Sequence, residues 1–366
     1  CVRILRQHGR LIGLPPHFVI YDEDDRESLV KECMKELDLG ERTTTPGAVT
    51  QRISYWKNHM LGVEEAKQQA RGPWEEKLAL VFGRYEERLR AVGAVDFDDL
   101  LLKTVKLYEE VPEALAWYRG LWRYVLVDEY QDTNRAQYRI IRQLTGEHRN
   151  VCVVGDPDQS VYKWRGADIR NILDFEQDYP GTRVVKLEQN YRSTRRILAL
   201  AASVIDHNQR RKEKTLWTEN AEGDKPKLYR GWDEHEEANF VAQTILSLRA
   251  DGVAWEGIAV FYRTNAQSRV LEDALRRARV PYGIVGGVRF YERKEIKDAL
   301  AYIRLTVNPS DDVAFRRAIQ TPVRGIGPAT LARLDEARAG RALLAVAGDA
   351  PAALSGKPRR SLEESA

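Results

Sequence analysis

The chain has 366 residues, 43% hydrophobic and 31% charged, with 58 Lys and Arg against 55 Asp and Glu for a net charge of +3. This is the composition of a soluble globular protein of two or three domains, and no apolar run approaches the ~18 residues that a membrane span needs; the longest lie near 197–205 and 342–347. Cys1, Cys33 and Cys152 lack CxxC spacing and sit in apolar contexts, so neither a disulfide framework nor a metal site is supported. With no signal-peptide pattern either, a reduced, cytoplasmic setting is the expectation. A pI near 8.6 permits nucleic-acid binding without demanding it.

In chain order, residues 1–10 read as the tail of a helix, with Val2 and Leu5 apolar and Arg3, Arg6 and Arg10 on other positions. After Pro15-Pro16 the segment to about residue 94 is mostly helical: SLVKECMKELDL and PWEEKLALVFGRYEERLRAV carry apolar residues at spacings of three and four. Pro46 and Gly72-Pro73 punctuate it. DFDDLLLKTVKLYEEV then reads as an N-capped helix ended by Pro112.

The stretch YVLVDEYQDTN, residues 124–134, carries the first chemistry. Its β-branched run predicts a strand buried on both faces of a parallel sheet, delivering Asp128 and Glu129 to the crevice where open α/β sheets bind ligands. One carboxylate there can hold Mg²⁺ together with substrate phosphates while the other orients or deprotonates a water. The alternative is a solvated acidic loop, because Asp132, Thr133 and Asn134 are all good caps for the helix predicted over 135–144. A second strand follows at 151–154. Strand, helix and strand with short links predict a right-handed βαβ unit, which sets Asp156 and Gln159 beside Asp128 and Glu129. A neutral amide such as Gln159 can touch a γ-phosphate or the attacking water.

Behind Gln159 stands Tyr162-Lys163-Trp164-Arg165, where interleaved aromatics and cations suit a single-stranded nucleic-acid track. Aromatics of the core are the alternative, against which the neighbouring Gly155 and Gly166 argue for a loop. From about residue 183 a new α/β unit is predicted: strand VVKL, then LEQNYRST, then a helix capped by Ser193 or Thr194 with the apolar stripe ILALAASVI. Arg192, at the strand-to-helix turn, can fork onto phosphate oxygens or sit in a surface ion pair.

The basic run 209–214 reads as a solvated loop. GIAVFY, 257–262, predicts a buried strand, RTNAQSRVLEDAL a capped helix, and YGIVGGVRFYERKEIKDALAYIR a strand leading through Gly286-Gly287 into a helix. Arg324-Gly325-Ile326-Gly327-Pro328 suits either a glycine turn offering N–H groups to a phosphate or a plain helix start with Pro328 near its first position. The tail from Ala339 is weakly patterned. A loop of the form G-x-x-x-x-G-K-[ST] occurs nowhere; Gly356-Lys357 is followed by Pro358.

Taken in order, VLVDEYQDTN, CVVGDPDQSVYKWRGAD and LEQNYRST resemble motifs II, III and IV of the UvrD/PcrA/Rep family of superfamily-1 DNA helicases. DEYQD, in place of DEAD or DEAH, argues against the RNA-helicase branches. The resemblance implies an α/β fold: two RecA-like (P-loop NTPase-type) parallel-sheet motor domains with helical insertions, both incomplete. Its boundaries would be the end of a first motor segment (1–13), a helical insertion (14–94), the first RecA-like domain (95–186), the second (187–307) and the start of a second insertion (308–366).

It further implies an ATP-dependent 3′ to 5′ DNA helicase using ATP and Mg²⁺. Asp128 would hold the metal, Glu129 activate water, Gln159 sense the γ-phosphate, Arg192 act as arginine finger and Tyr191 stack on adenine. Trp164 would stack on a DNA base, with Tyr162, Lys163, Arg165, Arg263 and the Phe290-Tyr291-Glu292-Arg293 region along the track. Implied partners are single-stranded and duplex DNA and accessory repair proteins, with no membrane. The opening CVRILRQHG resembles the second half of a family helix, so an internal fragment, inactive alone for want of a phosphate loop, is the expectation. A helicase–nuclease subunit and a non-catalytic DNA-binding relative remain as alternatives.

Overall fold

The apolar run after Pro15-Pro16 forms strand β1 (Val19–Tyr21) in the computed structural model of the chain, and it pairs in parallel with β2 (Ala94–Asp96), Val19 opposite Ala94 and Tyr21 opposite Asp96. The segment read as mostly helical thus begins and ends in a strand that the sequence did not disclose; three residues are too few to reveal a period. Between the two strands lie helices Glu23–Glu36, Pro46–Asn58, Val63–Gln69 and Pro73–Ala91, so the helical stretch is an excursion that leaves one strand and returns on its neighbour. Its core packs Leu29, Val30, Met34, Ile53, Phe82 and Tyr85, with Trp56 stacked on Phe82 at 5.5 Å between ring centroids. The first of these helices starts before the apolar pattern does. Asp22 and Asp25 form a reciprocal cap, Asp25 N donating to Asp22 Oδ1 (3.0 Å) and Asp22 N to Asp25 Oδ2 (3.3 Å).

The predicted βαβ unit forms. β3 (Val125–Val127) and β4 (Val151–Val153) pair in parallel, Val125 opposite Val151, around helix Arg135–Thr145. The strand is not buried on both faces, however. Val127, Val151 and Val153 pack toward Tyr130, Ile141, Ile172 and Phe175, while Leu126, 79% exposed, and its partner Cys152 lie on an open face. A pleated strand sends alternate side chains to opposite faces, and one of the two is covered here.

The structure describes residues 1–40, 44–208, 214–285, 294–324, 326–338 and 341–349. Gly286-Gly287, the Phe290-Tyr291-Glu292-Arg293 region, Gly325, the loop 209–213, Ala339 and the tail 350–366 lie outside them. The chain divides into two units, one made of Cys1–Val185, Asn208–Glu213 and Lys294–Ala366, the other of Lys186–His207 and Lys214–Arg293.

Within the first unit, helices Lys294–Val307 and Asp312–Gln320 tie to the helical excursion by charge. Arg304 bridges Asp25 (2.6 Å) and Asp311 (2.9 Å), Lys297 reaches Asp22 (2.9 Å), and Tyr21 Oη donates to Asp311 Oδ1 (3.0 Å). Arg324 donates to the carbonyls of Ala318 (3.0 Å) and Thr321 (2.9 Å) at the end of helix Asp312–Gln320, and the following helix, Pro328–Ala337, opens on its proline.

The second unit packs helix Glu234–Ala250 against Asn265–Arg277 around Ala238, Ala242, Ile245, Ala274 and Leu275. The strands predicted at 184–187 and 257–262 do not form: Leu187 and Phe261 are exposed, and the pairing among the unit's described residues is one parallel bridge, Gln189 with Trp217. Apolar, β-branched composition favours extension, but a strand exists only through a partner's hydrogen bonds.

Candidate functional site

β3 ends at Val127, where Val154 N donates to Val127 O (2.8 Å) and Tyr130 N to Val154 O (3.0 Å), lacing the two strand-end loops together. Asp128 and Glu129 project from this edge, both exposed, with Glu129 N donating to Asp128 Oδ1 (2.9 Å). Glu129 takes a left-handed backbone, φ 49° and ψ 43°, which a residue with a Cβ adopts at a cost of about 1–3 kcal/mol. Buried Tyr130, edge-on to Phe175 at 5.5 Å, anchors the turn behind it.

Gln131 joins the two loops. Its side chain is wholly buried; Nε2 donates to Glu129 Oε2 (2.7 Å) and Oε1 accepts from Asp156 N (3.0 Å). Asp156 Oδ2 in turn accepts from Gln159 Nε2 (2.8 Å), so hydrogen bonds run unbroken from the carboxylate of Glu129 to the amide of Gln159. Gly155 makes room for this: a Cβ there would stand 2.5 Å from Gln131 Oε1 and 3.1 Å from Tyr130 N. The predicted neighbours are therefore brought together through a residue to which sequence reasoning gave no role. The available signal was a long polar side chain two positions beyond Glu129, in the tight turn Tyr130–Asp132 that turns it inward.

Of the three candidate caps for helix Arg135–Thr145, Asn134 does the capping, accepting from Gln137 N (2.9 Å). Thr133 instead holds the second loop, accepting at its carbonyl from Asp168 N (3.0 Å) and Asn171 Nδ2 (3.0 Å). Capping thus leaves Asp128 and Glu129 unexplained. An exposed carboxylate at a strand end suits a hard cation that takes one protein carboxylate and completes its shell with phosphates and water. Among the described residues no group of three or more His, Cys, Asp or Glu could hold a metal alone. Asp128 therefore fits Mg²⁺ in the company of a nucleotide.

Tyr162, Lys163, Trp164 and Arg165 are all exposed, Trp164 to 66%, which rules out the core alternative. The short 3₁₀ turn Lys163–Arg165 closes on Gly166 at φ 85°; the rings of Tyr162 and Trp164 lie 6.5 Å apart, and the Arg165 guanidinium sits 4.6 Å from the Trp164 ring centre. At its foot Ala167 bridges Asn134. Asn58, the last residue of helix Pro46–Asn58, accepts from Asn134 Nδ2 (2.7 Å) and donates to Asp98 Oδ1 (3.2 Å), and a Cβ on Gly166 would come 2.9 Å from its own Cβ. Acidic loop, aromatic loop and helical excursion meet at this asparagine, which nothing in the sequence singles out.

Below it lies a buried charge cluster. Lys57 Nζ binds Glu86 (2.6 Å), Asp96 (2.8 Å) and Asp99 (3.0 Å), while Arg26 NH2 reaches Asp98 (3.2 Å). Burial alone would push Asp96 up, but Lys57 and Arg26 outweigh it and hold the carboxyl at about 2; Asp99, buried beside that charge, is raised to about 6.

In the second unit Asn190 Oδ1 accepts from Arg192 N (3.0 Å) and Ser193 N (2.8 Å), forming the turn into helix Arg195–Ile205, where Thr194 stands at the cap position without a capping hydrogen bond from its side chain. Tyr191 is exposed, its hydroxyl donating to Gln189 (2.7 Å). Arg192 is exposed. Arg263 is exposed just before helix Asn265–Arg277, its N–H donating to Gln267 Oε1 (2.9 Å).

Strand-end carboxylates are thus linked to an amide across a parallel βαβ unit, with an aromatic-cationic loop rooted in the same segment. Residues 1–180 match the UvrD/REP helicase N-terminal domain and residues 185–347 the UvrD-like helicase C-terminal domain, both of the RecA-like α/β type. The chain belongs to the UvrD/REP helicase family.

Among its relatives, it is 48% identical over 335 residues to the ATP-dependent DNA helicase PcrA of Bacillus subtilis, covering 91% of this chain and 45% of that protein. Against the ATP-dependent DNA helicase PcrA of Staphylococcus epidermidis and of Staphylococcus aureus it is 45% and 44% identical, each over 91% of this chain and 46% of the relative. The chain spans about half the length of the curated relatives it matches.

Proposed function

We propose that the intact protein is an ATP-dependent DNA helicase that moves 3′ to 5′ along single-stranded DNA and separates duplexes, in the cytoplasm and alongside repair proteins. The observation that carries this reading is the polar chain from Glu129 through Gln131 and Asp156 to Gln159 at one edge of β3 and β4, with the exposed Trp164 loop rooted in the same segment. PcrA relatives named as ATP-dependent DNA helicases support it.

In this mechanism Asp128 holds Mg²⁺, which when bound neutralises charge developing on the transferred phosphate. Glu129 accepts the proton of the attacking water. Gln159 reads the γ-phosphate position, and its tie to Asp156 gives that reading a path back toward Glu129. Arg192, always charged, stabilises the transition state, and Tyr191 offers a face to adenine. Trp164 and Tyr162 stack on bases while Lys163, Arg165 and Arg263 follow phosphates.

Strand separation by the intact protein tests the reading. Duplexes with a 3′ or a 5′ single-stranded tail are incubated with Mg-ATP, and separation of the 3′-tailed duplex alone is expected. Preference for the 5′ tail, or separation without ATP, would contradict it.

A further inference from the structure

Gln131 uses both ends of a wholly buried amide, each on a different strand-end loop. A carboxylate accepts only and a backbone N–H donates only, so the two partners fix the orientation of the amide: Nε2 to Glu129, Oε1 to Asp156 N. Burying an amide is unfavourable unless both of its ends are paired, and a filler of the same volume would be apolar. Gly155 is pressed against this side chain, where a Cβ would stand 2.5 Å from Gln131 Oε1, and the carboxylate that Gln131 holds belongs to a residue in a left-handed backbone. The bond from Gln131 is the one side-chain hydrogen bond to the Glu129 carboxylate among the described residues.

We propose that Gln131 is a positioning residue for hydrolysis: it aims the Glu129 carboxylate at the attacking water and keeps that aim registered with Gln159 through Asp156. This rests on the reading of Glu129 as the group that activates water. Gln131 is wholly buried behind the exposed carboxylate that it holds. Its effect on hydrolysis therefore passes through the Glu129 carboxylate, and that makes a double-mutant cycle decisive.

The test uses the intact protein with saturating single-stranded DNA. Gln131→Met keeps the volume and loses both bonds; Gln131→Glu keeps an acceptor for Asp156 N and loses the donor to Glu129. Both should lower kcat for ATP about 10- to 100-fold, the scale of a misplaced catalytic group, with KM within threefold. In a Glu129→Gln background, Gln131→Met should cause no further loss. The same fold-loss in both backgrounds, or an unchanged kcat in Gln131→Glu, would overturn the proposal while leaving Glu129 in its role. If Glu129→Gln alone left turnover unchanged, the underlying reading would fail, and the proposal with it.

Discussion

Lys57 is 1% exposed, yet its ammonium is held by three carboxylates, and the deepest of them, Asp96, also takes a hydrogen bond from Tyr85 Oη (2.9 Å). Replacing it leaves the buried carboxylates Asp96 and Asp99 under-compensated, with Arg26 still beside Asp96, whereas exposed pairs such as Arg84 with Glu36 contribute little. Lys57→Met is predicted to destabilise the protein by about 3–5 kcal/mol, read as a lower urea midpoint. A loss under 1 kcal/mol would show that the cluster is not a unit. At this scale the sequence revealed residues whose chemistry is local. A β-branched run ending in Asp128-Glu129 announces its strand end, and a Trp between two cations between glycines announces a loop. Lys57, Asn58 and Gln131 looked like ordinary polar helix and turn residues, because their roles exist only once β1 and β2 pair and the two strand-end loops approach.

Elements divide in the same way. Helices with a cap and an apolar stripe were legible: 73–92 forms as Pro73–Ala91 and 135–144 as Arg135–Thr145. β1 and β2 were missed, and the expected strands at 184–187 and 257–262 do not form, since pairing is decided by segments far away in sequence. The Trp164 loop shows how an element depends on such distant support. Gly166 combines φ 85° with contact against Asn58, so Gly166→Ala must lift the loop from its seat on the helical excursion. Affinity for oligothymidine, measured by fluorescence anisotropy, should fall in Gly166→Ala, and in Trp164→Ala by about 1–3 kcal/mol. Unchanged affinity in a folded Trp164→Ala variant would remove the loop from the DNA track.

At the scale of the molecule, the order of three short motifs sufficed to identify the family, because each pairs a strand end with a definite chemistry and their succession is far more specific than any one of them. The sequence did not reveal contacts within the first unit such as Arg304 with Asp25, which join residues separated by most of the chain. Under the proposed function Glu129 is the base of an ATP-hydrolysing site coupled to single-stranded DNA. The most direct test of this role is DNA-stimulated phosphate release by the intact protein, wild type beside Glu129→Gln, with nucleotide binding measured in parallel. Binding should be preserved while release falls by about 10²–10⁴; release within threefold of wild type would contradict the account.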